Sequence, residues 1–309
     1  MKDLSIIIVS WNVAGLLKSC LESIYRSPFP ADRLEVIVVD SASSDDSVQQ
    51  VRQHFPQVTL LSQSENLGFT RCNNIGIQTS TGRYIFLLNP DTEVLDDALA
   101  QMVAYMDANP TIGILGPHTL NTDGTTQSSR RRFPTPLLGF FESTWLQPLA
   151  PHSLLDHFYV NDAPMDATLD VDWVQGSALL ARREVYQQIG GLDEGYVMYS
   201  EELDWCKRAK TAGWRVVYLG TSRIIHHGGK SSEQVTARKH IHFQQSKLRY
   251  FRLYHGWLTA QVLRIFLLIS YLAQLIIEGA KSLLGHKRQL RQERVRAYWQ
   301  VIRSGLQVH

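Results

Sequence analysis

A chain of 309 residues with 44% hydrophobic and 19% charged residues can bury a large core, which excludes a disordered or fibrous protein. The formal net charge of +2 hides an asymmetry: residues 230–309 carry 14 Lys/Arg against three acids, and residues 1–229 carry 17 against 26. The three cysteines, Cys20, Cys72 and Cys206, form no metal-type pair and no disulfide framework, so a reducing cytoplasm is the expected compartment, and the short apolar run at 4–9 reads as a strand rather than a secretory signal.

Residues 4–10 (LSIIIVS) are a continuous β-rich apolar run, the pattern of a strand buried on both faces. Helical apolar spacing follows over 14–27 and stops before Pro28. A second strand at 34–39 ends at Asp40, a helix over 44–55 opens with a capping-type start, and a third strand spans 58–61. Residues 69–79 read as a helix, 84–88 as a fourth strand, 95–108 as another helix and 112–115 as another strand. This alternation implies a doubly wound, mostly parallel α/β sheet with right-handed crossovers.

The fourth strand runs into Asn89-Pro90-Asp91-Thr92-Glu93. Alternate residues of an extended segment face one side, so Asn89 and Asp91 can converge at the carboxyl end of a buried strand, where open α/β sheets place ligands. Such an oxygen pair suits a hard divalent cation carrying phosphates, Mg²⁺ or Mn²⁺. An Asx/Pro turn capping the next helix would use the same residues without a metal.

Residues near 120–170 are irregular and Pro-rich, opening with Arg130, Arg131 and Arg132, which suit a phosphate, a membrane surface or solvent. Residues 171–181 read as a strand with Gly176 and Ser177 in its middle, and a glycine there suggests close approach by a ligand or a bulge. After Gly190-Gly191-Leu192-Asp193, Ser200 is the expected N-cap of a helix reaching about Thr211, with Glu201, Glu202 and Asp204 in its first turn. Helix-start chemistry alone accounts for acids there, but not for three in four positions beside Tyr199 and Trp205, where apolar neighbours can raise a carboxyl toward a useful base. A strand at 214–219 precedes His226-His227-Gly228-Gly229, a pair of metal-ligand candidates beside glycines that admit a phosphate.

Taken in order, the segments SIIIVSWN (5–12), VVDSASSD (38–45), NLGF (66–69), NNIG (73–76), LNPDT (88–92), GGLD (190–193), YSEELD (199–204) and HHGG (226–229) resemble those of family 2 glycosyltransferases with the GT-A fold, close to the bacterial rhamnosyltransferase-like group. The resemblance covers roughly 3–232. It implies a GT-A catalytic domain at 1–232, with a Rossmann-like nucleotide-binding half, and a helical C-terminal extension at 233–309. It implies that Ser10, Asn12, Asp40, Asp45, Asn66, Gly68, Asn74 and Asn89 line the nucleotide and donor pocket. Asn89 and Asp91 occupy the Asp-X-Asp position, with Asn in place of the first Asp. Asp91 is the main metal ligand and His226 a further one, with His227 as the alternative. Glu202 matches the catalytic base, with Glu201 as the alternative; Glu201 and Asp204 orient the acceptor or its loop. Asp193, Gly176 and Trp205 are expected on the acceptor side. The implied reaction is an inverting displacement from a dTDP-, UDP- or GDP-linked sugar, rhamnose first, to a saccharide or lipid-linked oligosaccharide. Cell-surface polysaccharide or lipopolysaccharide synthesis is the implied setting.

The last 80 residues lie outside that resemblance. Residues 233–254 read as a polar helix, and 257–284 as an apolar one whose unbroken core, 265–277, is 13 residues. A spanning helix needs about 20, so this one is expected in the membrane interface, or packed against another subunit as a homo-oligomer. Residues 286–303 add six Lys/Arg against one acid, and Trp257 and Trp299 suit headgroup depth. An anionic membrane surface is therefore the expected partner rather than nucleic acid, placing the protein peripherally on the inner face of the plasma membrane.

Three other functions fit the sequence less well. A dinucleotide-dependent oxidoreductase would carry Gly-x-Gly-x-x-Gly after the first strand, where this chain has Ser10-Trp11-Asn12-Val13-Ala14-Gly15. A nucleotidyltransferase would need a Gly-rich basic loop at the same turn. A non-catalytic carbohydrate- or nucleotide-binding scaffold is disfavoured by two intact acidic clusters.

Overall fold

The computed structural model describes residues 2–228, 236–284 and 287–307. The strands are β1 (Leu4–Ser10), β2 (Leu34–Asp40), β3 (Thr59–Ser62), β4 (Tyr84–Leu88), β5 (Thr92–Val94), β6 (Ile112–Leu120), β7 (Arg130–Arg131), β8 (Leu169–Asp170), β9 (Trp173–Val174), β10 (Ala178–Arg182) and β11 (Arg215–His226). The α-helices are α1 (Ala14–Arg26), α2 (Ser47–His54), α3 (Phe69–Thr79), α4 (Ala98–Ala108), α5 (Pro136–Phe141), α6 (His152–Tyr159), α7 (Arg183–Ile189), α8 (Glu201–Thr211), α9 (Thr236–His255), α10 (Trp257–Leu283) and α11 (Arg288–Ser304).

Nine strands form one sheet in the order β3-β2-β1-β4-β10-β6-β11-β5, with β8 also on β11. The first four run parallel, β10 inserts antiparallel between β4 and β6, and β11 returns parallel to β6. This is the expected doubly wound, mostly parallel α/β sheet. The apolar runs follow from burial on both faces: Ile6, Ile8, Val36, Val38 and Phe86 join the core under α1, α2 and α4. The alternating Ile7, Ile85 and Leu87 join Ile77, Val185, Trp205 and Cys206 on the other face.

Several boundaries differ from the sequence reading. Residues 171–181 are not one strand: the chain breaks at Gly176–Ser177, leaving β9 and β10 in different sheets. The short strand β5 lies in what reads as a turn before the helix, because Thr92–Val94 pairs antiparallel with Ile224–His226, a contact far away in sequence. β11 runs to His226 through an irregularity between Leu219 and Arg223, so His226 lies in a strand rather than after one. Ser200 has φ 65 rather than the extended backbone of an N-cap. Arg130 is buried, donates to the carbonyls of Pro164 (2.7 Å) and Val160 (3.1 Å), and stacks on Tyr218, so it serves the fold rather than a phosphate. Arg131 lies over the Tyr159 ring at 4.6 Å.

The chain divides into two compact units. The first, Met1–Phe133, His157–Val197 and Glu201–Ser231, holds the sheet. The second combines Pro134–Asp156 and Met198–Ser200 with Ser232–His309. Residues 229–235, including the expected Gly229 and the start of the polar helix, lie outside the described residues.

Within the second unit, α10 buries Ala260, Leu263, Leu267, Ser270 and Tyr271. Phe140 meets Phe266 edge-on at 5.1 Å, and the buried Lys247 donates to the Glu142 carbonyl at 2.7 Å. Glu278 on α10 pairs with Arg291 on α11, and Arg264 donates to the Gly305 carbonyl at 2.7 Å. Away from these contacts α10 exposes Leu258, Val262, Ile265, Ile269, Leu272 and Ile276, steps of three and four that make one apolar stripe. By length and composition α10 is long and apolar enough to cross a membrane, and 28% of its apolar window is buried.

Gly76 sets how closely α3 approaches β1. A Cβ there would lie 2.4 Å from Ile7 Cγ2, a stiff β-branched side chain with no exposed surface. Gly76→Ala is expected to destabilise the fold by about 1–3 kcal/mol, the usual cost of overpacking, read as a lower Tm in thermal unfolding; an unchanged Tm would show that α3 can slide.

Candidate functional site

The parallel register aligns Ser10 with Asp40 at the carboxyl ends of β1 and β2. Both are buried, at 0% and 2% exposure. Asp40 Oδ2 accepts from Ser43 N at 2.9 Å, while Asp40 Oδ1 and Ser10 Oγ have no hydrogen-bond partner. Buried polar oxygens left this way cost stability unless a ligand satisfies them. Asn12, at φ 53, accepts from Ser44 N at 2.7 Å and its own N–H donates to Ser43 Oγ at 2.9 Å, tying the β1 turn to the β2 turn.

Asp45 is spent differently from the sequence expectation. Its oxygens accept from Ala14 N (2.9 Å), Ser47 N (3.1 Å) and Ser47 Oγ (2.6 Å), so it fastens the starts of α1 and α2. Slight burial opposes ionisation, but these bonds hold its carboxyl below the usual range. Asn66 Oδ1 accepts from Ser41 Oγ (3.1 Å) and Gly68 N (3.0 Å), shaping the loop before α3. Gly68 itself has φ 81, where a side chain would be strained. Asn74 donates to Leu192 O and accepts from Leu192 N, each at 2.9 Å, stapling α3 to the 190–194 loop.

At the end of β4, Asn89 N donates to Ser177 O at 2.9 Å, and Asn89 Oδ1 is buried without a partner. The pairing of β5 with β11 sets Thr92 opposite His226, which brings His226 Nε2 to 3.4 Å from Asp91 Oδ1. Both side chains are buried. The one-residue step turns His227 to Glu93 instead, with Nε2 at 2.7 Å from Oε1. This separates the two histidines that the sequence left open: His226 faces Asp91.

Gln127 was missed in the sequence. Its Nε2 donates to His226 O at 2.7 Å, which leaves its Oε1 to accept from His226 Nδ1 at 2.9 Å. That arrangement puts a ring proton on Nδ1 and turns Nε2 toward Asp91, the usual way a second group orients a metal-ligating imidazole. Nothing in the surrounding polar segment marks it. Among the described residues no cluster of three His, Cys, Asp or Glu side chains is present. The orphaned Asn89 Oδ1 and His226 Nε2 nevertheless fit a hard cation that takes its remaining positions from water and substrate oxygens.

The second acidic cluster opens α8. Glu201 is 3% exposed and its Oε2 has no partner. Burial, and then the charge of Glu202, push the Glu201 carboxyl well above the usual carboxylate range. Glu202 is less covered; burial raises its carboxyl too, opposed by backbone donors that include Gly176 N at 3.3 Å from Oε1. A Cβ on Gly176 would stand 3.3 Å from Glu202 Cβ, so the glycine backs the Glu202 side chain. The other residues expected beside these acids have partners of their own. Asp204 is buried and paired with Arg208 Nε at 2.7 Å. Trp205 has no exposed surface, packs in the core and donates to Gly190 O at 3.0 Å. Asp193 Oδ1 accepts from Gly195 N at 2.9 Å, shaping a turn.

The Glycosyl transferase family 2 model matches residues 5–171. N-acetylglucosaminyl-diphospho-decaprenol L-rhamnosyltransferase of Mycobacterium tuberculosis is 29% identical over 210 residues, covering 64% of this chain and 68% of the relative. Rhamnosyltransferase WbbL of Escherichia coli K12 is 25% identical over 253 residues, covering 79% and 91%. Among solved structures, mannosyltransferase PcManGT from Pyrobaculum calidifontis, in complex with GDP-Man and Mn²⁺, superposes with a TM-score of 0.59 at 18% identity, covering 98% of this chain and 84% of that one. This last likeness bears on the fold alone.

The buried Glu201 makes a pH-dependent prediction. Its folded carboxyl lies above the unfolded value of about 4.3, so the protonated form favours the fold. Its contribution is full below that unfolded value and is lost as pH rises through the folded one. Glu201→Gln is therefore expected to raise stability at pH 7 by on the order of 1–3 kcal/mol, with the gain in Tm shrinking toward zero below about pH 4. A lower Tm at pH 7 would contradict the assignment of a buried, unsatisfied carboxylate.

Proposed function

The chain belongs to glycosyl transferase family 2, and on that premise we propose that it transfers a sugar, rhamnose first, from a nucleoside diphosphate donor to a hydroxyl of a saccharide or lipid-linked acceptor in cell-surface polysaccharide synthesis. The observation that carries the reading is a set of buried, unsatisfied polar atoms: Ser10, Asp40 and Asn89 at the carboxyl ends of β1, β2 and β4, with the buried Asp91–His226 pair beside them. The rhamnosyltransferase names of two relatives support the sugar. The nucleotide stays open among dTDP, UDP and GDP.

In this reading Asp40 and Ser10 hold the nucleoside, and Asn66 and Gly68 shape the wall beside it. Asp91 and His226, with Asn89, hold Mg²⁺ or Mn²⁺, and the fold neighbour's bound Mn²⁺ supports a divalent cation. When bound, the cation supplies positive charge to the leaving diphosphate. Glu202 takes the proton of the acceptor hydroxyl, that oxygen forms the new bond to the anomeric carbon from the opposite side, and the nucleoside diphosphate departs with the bonding pair. The anomeric configuration inverts. Glu202 suits the task because it is the more accessible of the two raised carboxyls and is held by Gly176 N.

The test is nucleoside diphosphate release from a panel of donors with acceptor present, with Mg²⁺, Mn²⁺ or EDTA. Asp91→Ala is expected to lose cation-dependent donor binding and turnover together. Glu202→Gln is expected to lower kcat by about 10²–10⁴ with donor binding little changed, and to abolish the acid limb of kcat/KM. That limb falls as pH drops through the raised Glu202 value, above the ordinary carboxylate range. Near-normal turnover of Glu202→Gln would transfer the base role elsewhere. No donor turnover and no donor-induced rise in Tm would favour the non-catalytic scaffold.

We further propose that the helical unit rests on an anionic membrane, with the exposed stripe of α10 in the headgroup region. Support comes from that stripe, from exposed Trp257 and Trp299, and from the 14 Lys/Arg of residues 230–309. Vesicles rich in anionic lipid are expected to co-sediment the protein, neutral vesicles much less, with binding weakened by salt and by Ile265→Asp with Ile269→Asp. A dimer that the same double variant dissociates, with no vesicle binding, would assign the stripe to a second copy of the chain.

A further inference from the structure

A cavity of about 790 Å³ lies wholly within the helical unit, in the size range of small-molecule sites, about 300–1,000 Å³. One face of α10 supplies Leu267, Ser270, Tyr271 and Gln274, spaced one helical turn apart. Aromatic rings come from every other side: Trp145, Tyr199, Phe243 on α9 and Tyr298 on α11. Among the described residues no Asp or Glu lines it, and Lys239 is its one amine. Burial, and then Lys239, hold His240 below its usual range, so the ring is neutral at pH 7.

Gln244 decides what the cavity takes. It is 3% exposed; its Nε2 donates to Tyr271 Oη at 3.4 Å, and that hydroxyl lies 3.2 Å from His240 Nδ1. Among the described residues Gln244 Oε1 has no hydrogen-bond partner. The unmet need is for a donor. A phosphate or carboxylate offers only acceptors, and a hydrocarbon tail offers neither. A sugar offers hydroxyl donors together with apolar C–H faces that lie flat on aromatic rings. We propose that this cavity binds a neutral segment of a saccharide chain, with one sugar hydroxyl donating to Gln244 Oε1 and ring faces against Trp145 and Tyr298. The identification of that chain as the acceptor rests on the transferase reading; the binding itself does not. Tyr199 meets Phe243 edge-on at 5.6 Å, and Tyr199 and Ser200 both have left-handed backbone, at φ 71 and 65.

The experiment probes the full-length chain, without nucleotide sugar, on immobilised neutral di- to tetrasaccharides, with anionic glycans and polyprenyl phosphate vesicles alongside. Neutral oligosaccharides are expected to bind, undisturbed by saturating nucleoside diphosphate. Affinity should fall at least tenfold in Gln244→Leu and in Trp145→Ala, a half-exposed position whose truncation spares the core. Gln244→Leu should keep or raise Tm, since it removes the orphaned oxygen, so lost binding would not be lost folding. The proposal is overturned if no neutral glycan binds, if both variants bind normally, if only anionic or lipid probes are held, or if nucleoside diphosphate displaces the glycan. Gln244-dependent binding without any donor turnover would remove the transferase reading and leave the cavity assignment standing.

Discussion

The pairing of β5 with β11 constrains the rest of the site. Three residues, Thr92–Val94, run antiparallel to Ile224–His226 and close the far edge of a sheet whose opposite edge is β3. In that register Thr92 stands opposite His226, and Asp91, in the turn just before β5, meets His226 while His227 meets Glu93. The irregularity between Leu219 and Arg223 absorbs the mismatch between parallel pairing with β6 and antiparallel pairing with β5. The chain thus uses an imperfect strand to place one imidazole.

The site is assembled at a cost to the fold. Glu201 buries a carboxyl beside another, and Ser10, Asp40 and Asn89 carry covered oxygens that nothing among the described residues satisfies. Their supports are well satisfied by comparison. Asn74 bonds reciprocally to Leu192, Asp204 pairs with Arg208, and Asp45 fastens two helix starts. Chemistry-bearing atoms are left wanting partners while the groups that hold them are fully bonded.

Much of this was legible in the sequence, for physical reasons that also explain the failures. Strands buried on both faces write themselves as unbroken apolar runs, so Leu4–Ser10, Leu34–Asp40 and Tyr84–Leu88 were read nearly to the residue. Short strands whose partners are distant carry no local pattern, so β5 lies in what reads as a turn, and β9 and β10 read as one continuous strand. The acidic clusters were found, but their division of labour was not. Composition cannot tell that Asp204 has an arginine one turn away within bonding distance, or that Trp205 points into the core. Gln127 was invisible because its role comes entirely from a β-strand 99 positions further along the chain.

The second unit is built from three separate stretches, with the chain leaving the sheet-bearing unit at Pro134 and at Met198 and returning each time before its final departure. During synthesis, residues 134–156 therefore emerge from the ribosome well before the helices they will pack with, Thr236–His255 onward. Translation must finish almost completely before that unit can close, while β1, β2 and β3 have their partners within the first 88 residues. The nascent chain thus carries the apolar segment Pro136–Phe141 unsheltered for about a hundred residues of elongation, a window in which a chaperone or a nearby surface has to keep it from associating wrongly.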